Sequence, residues 1–181
     1  MNEYHFNIPV STEKIKNLHI GDIVYISGEL FTARDEAHQR LLKIPPKKLP
    51  FAIDSLGLYH CGPLMKKLEN GWVVIAAGPT TSSRMELFES DLLKKFPLIN
   101  IIIGKGGMGE HTVNALKNRG VYLSYTGGAA ALAADQIRKV KQVYWLEELG
   151  MAEAIWIFHV EQFGPLIVGI DSYGKSLFLN D

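Results

Sequence analysis

A single cysteine stands in the 181 residues, and that scarcity sets the first limits. Cys61 has no partner for an internal disulfide, which fits a reducing cytoplasm. Alone it also supplies too few thiolates for an iron–sulfur cluster or a cysteine-type zinc site. Neither sign of charge is in excess, since 19 basic residues face 19 acidic ones. A chain built to hold nucleic acid carries a basic surplus, so phosphate backbones are excluded as the main partner. No apolar run reaches the ~18 residues that a membrane span needs. The opening residues Met1-Asn2-Glu3-Tyr4-His5 lack the basic-then-apolar order of a secretory signal, and none is expected. His60, His111 and His159 are scattered without metal-ligand spacing, so no zinc site is expected either.

What is present organises around Ala77-Gly78-Pro79-Thr80-Thr81-Ser82-Ser83-Arg84-Met85. The apolar run Trp72 to Ala77 reads as a buried strand, stopped by Gly78-Pro79. A helix follows, with Met85, Phe88, Leu92 and Phe96 on one face and Ser83 and Glu86 at the spacing of a capping box. Thr80, Thr81 and Ser82 then sit where a strand feeds a helix N-terminus. Unpaired N–H groups and a positive dipole end suit an anion there. Arg84 adds a planar fork able to grip a carboxylate. The plainer alternative is an ordinary cap beside a surface arginine.

The length suggests one domain over residues 1–181, and the 47% hydrophobic fraction supports a real core. Ile23 to Gly28 reads as a strand, after a short polar helix around Glu13 to Asn17. Thr32 and Asp35 resemble a capping box for a helix through Ala37, Leu41 and Leu42. Arg34 would lie in its first turn, where a cation opposes the dipole, as Arg84 does later. A proline-rich loop, Ile44 to Pro50, precedes a strand at Leu58 to Pro63. Leu98 to Ile103 is a second buried strand, Glu110 to Arg119 a helix closed by Gly120, and Val121 to Tyr125 a further strand. Gly127-Gly128 opens an alanine-rich helix through Leu132 and Ile137, and Lys141 to Trp145 reads as a strand. Ala154 to Val160 and Leu166 to Ile170 read as a hairpin joined at Gly164-Pro165. Strand–helix alternation between extended ends suggests an α/β domain with some antiparallel strands.

Gly104-Lys105-Gly106-Gly107-Met108-Gly109 satisfies G-x-G-x-x-G between a strand and a helix. The acidic residue of a dinucleotide site is missing about 20 positions on, where Ser124-Tyr125 stands. The spacing of a P-loop is absent too. The loop instead suits close approach of backbone to a small anion. Arg34, Arg84 and Lys105 each lie in or beside a strand-to-helix turn, and such turns gather at the carboxyl ends of the strands. Three cations converging there suit a small dicarboxylate; otherwise they are unrelated surface charges. His38, one helical turn after Arg34, is placed to shuttle a proton, or else to bond Asp35 or backbone.

Four motifs together, G-D-x-V-x-x-S-G from Gly21, T-A-R-D-x-A-H from Thr32, A-G-P-T-T-S-x-R-M from Ala77 and G-K-G-G-M-G from Gly104, resemble one family. It is that of the β subunits of iron–sulfur (class I) fumarate hydratases and L-tartrate dehydratases. The likeness continues through Glu148-Leu149-Gly150 and Phe163 to Val168. It implies a three-layer swivelling β/β/α domain and a hydro-lyase that interconverts fumarate and (S)-malate. It also implies a 4Fe–4S cluster held by a partner α subunit, with the active site in the cleft between subunits. By the resemblance, Arg34, Arg84 and Lys105 bind the substrate carboxylates with Thr81 beside them. Thr80 is the catalytic acid, and His38 lies near the site. The alternatives are tartrate dehydration and a non-catalytic dicarboxylate-binding module.

Overall fold

The computed structural model describes residues 1–179. The first elements are β1 (Glu3–Asn7), α1 (Thr12–Ile15), β2 (Ile23–Thr32), α2 (Asp35–Lys43), β3 (Gly57–Tyr59), β4 (Leu64–Leu68) and β5 (Gly71–Ala76). Then come α3 (Glu86–Lys95), β6 (Ile101–Gly104), α4 (Glu110–Leu116), β7 (Val121–Tyr125), α5 (Ala130–Gln136), β8 (Ile137–Tyr144), α6 (Leu146–Leu149) and β9 (Ile155–Ile170).

One sheet runs β1-β2-β3-β6-β7-β9-β8. β3, β6 and β7 are parallel neighbours, and β2 joins them through Leu30 to Thr32. β9 lies antiparallel to β7 at one end and to β8 at the other, while its opposite edge pairs with β2 from Ile23 to Phe31. The strands β2, β3, β6, β7 and β9 therefore close into a ring, which leaves few unpaired edges. The pleat divides the core. Ile101 and Ile103 face an interior filled by Tyr125, Trp156, Phe158 and Phe163, whereas Ile102 faces outward onto α2, α3 and α4 through Leu41, Leu92 and Leu116. Two apolar clusters on opposite faces of the parallel strands make a layered mixed α/β structure. Among the described residues no helix is long and apolar enough to cross a membrane.

Several sequence expectations change. The stretch from Trp72 is not a buried strand of the main sheet. β5 pairs with β4, which the sequence reading missed, in a separate two-stranded ribbon with alternating burial. Leu64, Leu68, Val73 and Ile75 are exposed on it. The expected terminal hairpin is one continuous strand. Gln162 and Gly164 have positive φ and bend β9 rather than reversing it, and the flanking segments pair with different neighbours. α4 ends at Leu116, with Asn118 in the left-handed conformation, before the expected Gly120. The alanine-rich helix stops at Gln136, and the following strand starts at Ile137.

Candidate active site

The site grows from three chain reversals at the carboxyl ends of β2, β3 and β6. Thr32, at the end of β2, does not cap α2. Its hydroxyl donates to the Ala154 carbonyl (3.3 Å) and accepts from the Trp156 amide (3.0 Å), which ties β2 to β9. Arg34 is extended and precedes the first turn of α2. Its side chain crosses Gly62, where a Cβ would lie 2.6 Å from Arg34 Cδ, so only glycine leaves it a path. Its Nε lies 3.2 Å from Glu153 Oε1, and the other oxygen of Glu153 accepts from the Glu36 amide at 3.0 Å. An acid from the turn before β9 thus satisfies the α2 N-terminus and restrains Arg34 together.

The Thr80 loop is held by main chain. Thr80 N–H donates to the His60 carbonyl (2.7 Å), Lys105 N–H to the Thr80 carbonyl (3.3 Å), and Ser82 N–H to the Lys105 carbonyl (3.0 Å). Thr81 and Lys105 face each other across this parallel bridge. A 3₁₀ turn, Ser82–Met85, then leads into α3, with Arg84 half-exposed and its Nη2 2.5 Å from Asp35 Oδ2. That ion pair joins the Thr80 loop to the residue after Arg34. Arg34, Thr80 and Lys105 are partly exposed, and Thr81 and Arg84 are exposed. The structure therefore gathers these five on one rim, on segments bonded directly to each other.

Part of the expected helix-end anion sites is already occupied. Thr80 and Ser82 amides are paired, as above. Glu86 does not close a capping box with Ser83. Its carboxylate accepts from the amides of Gly109 (2.7 Å), His111 (3.1 Å) and Thr112 (3.3 Å) and from the Thr112 hydroxyl (2.7 Å). Glu86 thereby caps α4 from the neighbouring helix. The flexible guanidinium and ammonium groups of Arg34, Arg84 and Lys105 are the charged donors on this rim.

Beneath the rim lies a buried polar chain that the sequence reading missed. His38 is fully buried and does not reach the rim surface. Its Nδ1 is 2.7 Å from the Arg34 carbonyl, and its Nε2 is 3.3 Å from Glu89 Oε2. His60 Nε2 approaches the same oxygen at 3.0 Å, and His60 Nδ1 lies 2.9 Å from Ser82 Oγ. The Tyr122 hydroxyl reaches Ser82 Oγ (2.9 Å) and the Gly106 carbonyl (3.0 Å). Gly104 makes room, because a Cβ there would run into Ser82 Oγ and stand 3.1 Å from His60 Nδ1.

The partners decide where the protons are. A carbonyl only accepts, so His38 Nδ1 carries hydrogen; Nε2 faces a carboxylate, so it carries one too. His60 donates from Nε2 to Glu89 and accepts the Ser82 hydroxyl at Nδ1. Burial alone would lower the His38 pKa, but contact with Glu89 turns the shift upward. For His60 burial prevails and the pKa falls. Burial would raise Glu89, yet the two imidazoles hold its carboxyl down at about 2. The result is one buried ion pair with a neutral imidazole beside it. The donor types of this trio also occur in metal sites, and their ligand atoms lie within 4.8 Å of one another. Both imidazoles contact one oxygen, Oε2, while Oε1 is buried without a hydrogen-bond partner among the described residues; protons on the contacting nitrogens account for the Oε2 contacts, and we assign no ion to the trio. Two signals were available in the sequence: His60 ends an apolar strand, and Glu89 lies between Met85 and Leu92 on the apolar face of a helix.

Comparison with known proteins identifies the family. Residues 2–180 match the family model described as "Fumarase C-terminus". A protein of Methanocaldococcus jannaschii provisionally named as an L(+)-tartrate dehydratase subunit beta is 45% identical over 179 residues, 97% of this chain and 91% of its own. The L(+)-tartrate dehydratase subunit beta of Escherichia coli (strain K12) is 36% identical over 170 residues, 93% of this chain and 83% of its own. A longer protein of Geobacillus stearothermophilus, provisionally named as a class I fumarate hydratase, is 46% identical over 171 residues, 93% of this chain but 32% of its own. With the family model covering nearly the whole chain and full-length relatives above a third identical, this chain belongs to the family of fumarase C-terminal domains and tartrate dehydratase β subunits.

Proposed function

We propose that this chain is the β subunit of an iron–sulfur hydro-lyase that hydrates fumarate reversibly to (S)-malate. The active site is completed at the interface with an α subunit. The observation that carries the reading is that main-chain bonds tie the Thr80 loop to Lys105 and the Arg84–Asp35 ion pair ties it to the segment of Arg34, so that two forks, one point charge and a hydroxyl lie on bonded segments. That set suits a short dicarboxylate presented with its double bond over Thr80. The layered ring of strands fits the swivelling β/β/α domain, which carries such a rim toward a partner.

Cys61 does not fit a cluster. It is one thiol, fully buried, and its pKa is pushed well up by that burial. A 4Fe–4S cluster needs three or four thiolates. The cluster is therefore assigned to the α subunit, and the isolated chain is inactive. The part played by this chain is to hold both carboxylates through Arg34, Arg84 and Lys105, and to hold the proton at Thr80 Oγ. In hydration that proton goes to one alkene carbon while the partner supplies the hydroxide to the other. A threonine hydroxyl is a weak acid, and the surrounding cations lower the cost of its charged form.

L-Tartrate dehydration is the second reading, favoured by the names of two of the relatives. Both substrates carry two carboxylates, so the rim serves either. The test is to co-express this chain with its α subunit and assay fumarate, L-tartrate and mesaconate. Turnover of fumarate above the others supports the first reading and preference for tartrate the second. Retention of activity by Thr80→Val would remove Thr80 from the mechanism, because the cations remain in that variant while the proton does not.

A further inference from the structure

The buried chain connects the two halves of the rim. At one end His38 holds the Arg34 carbonyl. At the other, His60 grips the Thr80 loop twice: its carbonyl accepts the Thr80 amide, and its ring accepts from Ser82, two residues on. Glu89, from α3, touches both imidazoles through one oxygen. The rim residues themselves are partly exposed and tied on the surface by the Arg84–Asp35 pair, which water screens. The connection below is fully buried and charge-assisted, so its geometry is stiffer.

We propose that His38, Glu89 and His60 form a positioning bridge that sets Arg34 and Thr80 at a fixed separation, with Glu89 as its centre. The bridge rests on the assignment of Arg34 as a carboxylate ligand and Thr80 as the proton-bearing hydroxyl. It goes beyond that assignment by giving function to Glu89, His60 and Ser82, none of which touches substrate. The groups facing the bridge are Asp35 and Arg34 from the α2 side, and Ser82 and Tyr122 from the other. A mismatch of a few tenths of an ångström between the two ends would strain a small diacid held at both.

Because the bridge has two ends, its variants divide the kinetic constants. In the complex with the α subunit, His38→Gln loosens Arg34 and raises KM about fivefold with kcat little changed. Ser82→Ala loosens the Thr80 loop and lowers kcat about tenfold with KM within about twofold. Glu89→Gln does both. A bridge that only stabilises the fold would lower the active fraction in all three variants, in step with Tm and with KM unchanged, and that outcome overturns the proposal. Ser82→Ala removes only one oxygen, so it folds even where the histidine variant does not.

A second readout needs no activity. Nitrogen-15 NMR of the full chain should show both ring nitrogens of His38 protonated at neutral pH. In Glu89→Gln, the amide signals of Arg34, Thr80 and Ser82 should shift together. A singly protonated His38, or unmoved Arg34 and Thr80 signals, overturns the bridge. If the wild-type complex turns over none of the three diacids, the hydro-lyase reading fails and the NMR result still decides the bridge.

Discussion

The two faces of the parallel strands are built from different materials. The face inside the ring is mostly apolar, its few polar groups being the Thr32, Tyr59 and Tyr125 hydroxyls bonded to neighbouring groups, with Phe163 edge-on to Tyr59 and Tyr125 at centroid distances of 5.2 and 5.1 Å and Trp156 edge-on to Trp72 at 5.1 Å. The helix face carries a comparable apolar cluster, but set into it are His38, His60, Ser82, Glu89 and Thr112, all buried. Apolar burial is non-directional and favours any arrangement that excludes water. Buried polar groups tolerate only the arrangement that satisfies them. The difference teaches a division of labour: one face supplies stability, the other fixes where the segments above it lie.

Four perturbations would break or sharpen that contrast. The largest effect on stability belongs to the apolar face. Phe158→Ala should cost ~3–5 kcal/mol by urea denaturation, while kcat of the folded complex stays within about twofold. Loss of kcat in step with the stability change would show that the faces are not separate.

Glu89→Gln comes next, at about 3 kcal/mol, since it strands a buried charge. Its size depends on pH with a definite sign. With Glu89 present the folded-state pKa of His38 is raised, so its contribution is full below the ordinary 6.5 and fades as pH rises through the raised value. In the variant, burial without a counter-charge lowers that pKa, and protonation of the unfolded chain then opposes folding below 6.5. The gap in Tm between wild type and variant should therefore widen as pH falls from about 8 to about 5.5. The Glu89 contribution itself is full above the ordinary 4.5 and is lost progressively as pH falls from there to about 2. A gap that narrows on acidification contradicts the ion pair.

Arg84→Lys tests the rim. It keeps the charge and loses the fork, so kcat/KM should fall ~10–100-fold, or ~1.4–2.7 kcal/mol, with Tm unchanged because the Asp35 pair is exposed. Wild-type kinetics would make Arg84 a bystander. The smallest effect is at Thr81. It caps no helix through its side chain and is exposed, so Thr81→Val should change stability by less than ~0.5 kcal/mol, against the strong loss of kcat at Thr80→Val.

Much of the rim was legible because its parts are local. Glycines and prolines after apolar runs mark strand ends, and cations beside them stand out. What failed did so for identifiable reasons. Gly164-Pro165 punctuates as a turn, but β9 uses the pair to bend between a segment paired with β8 and a segment paired with β7, with β2 along its other edge, a choice made by tertiary pairing. The Thr32–Asp35 and Ser83–Glu86 spacings look like capping boxes, yet Glu153 and Glu86 cap neighbouring helices instead. Spacing cannot tell a local cap from a distant one. Glu89 and His60 meet only through the packing of α3 on β3, so neither carries a motif.

Glu86 also bears on time scale. It lies two residues beyond Arg84 and holds three amides at the end of the glycine-rich loop. The partly buried amides of Gly109 and Thr112 lose this partner when α3 and α4 separate. Their hydrogen exchange should therefore follow the opening of a packed helix pair rather than the faster fraying of a loop. Judged by composition, Gly104 to Gly109 is the loosest stretch of the chain; judged by the clock of exchange, its last residue belongs to a helix pair.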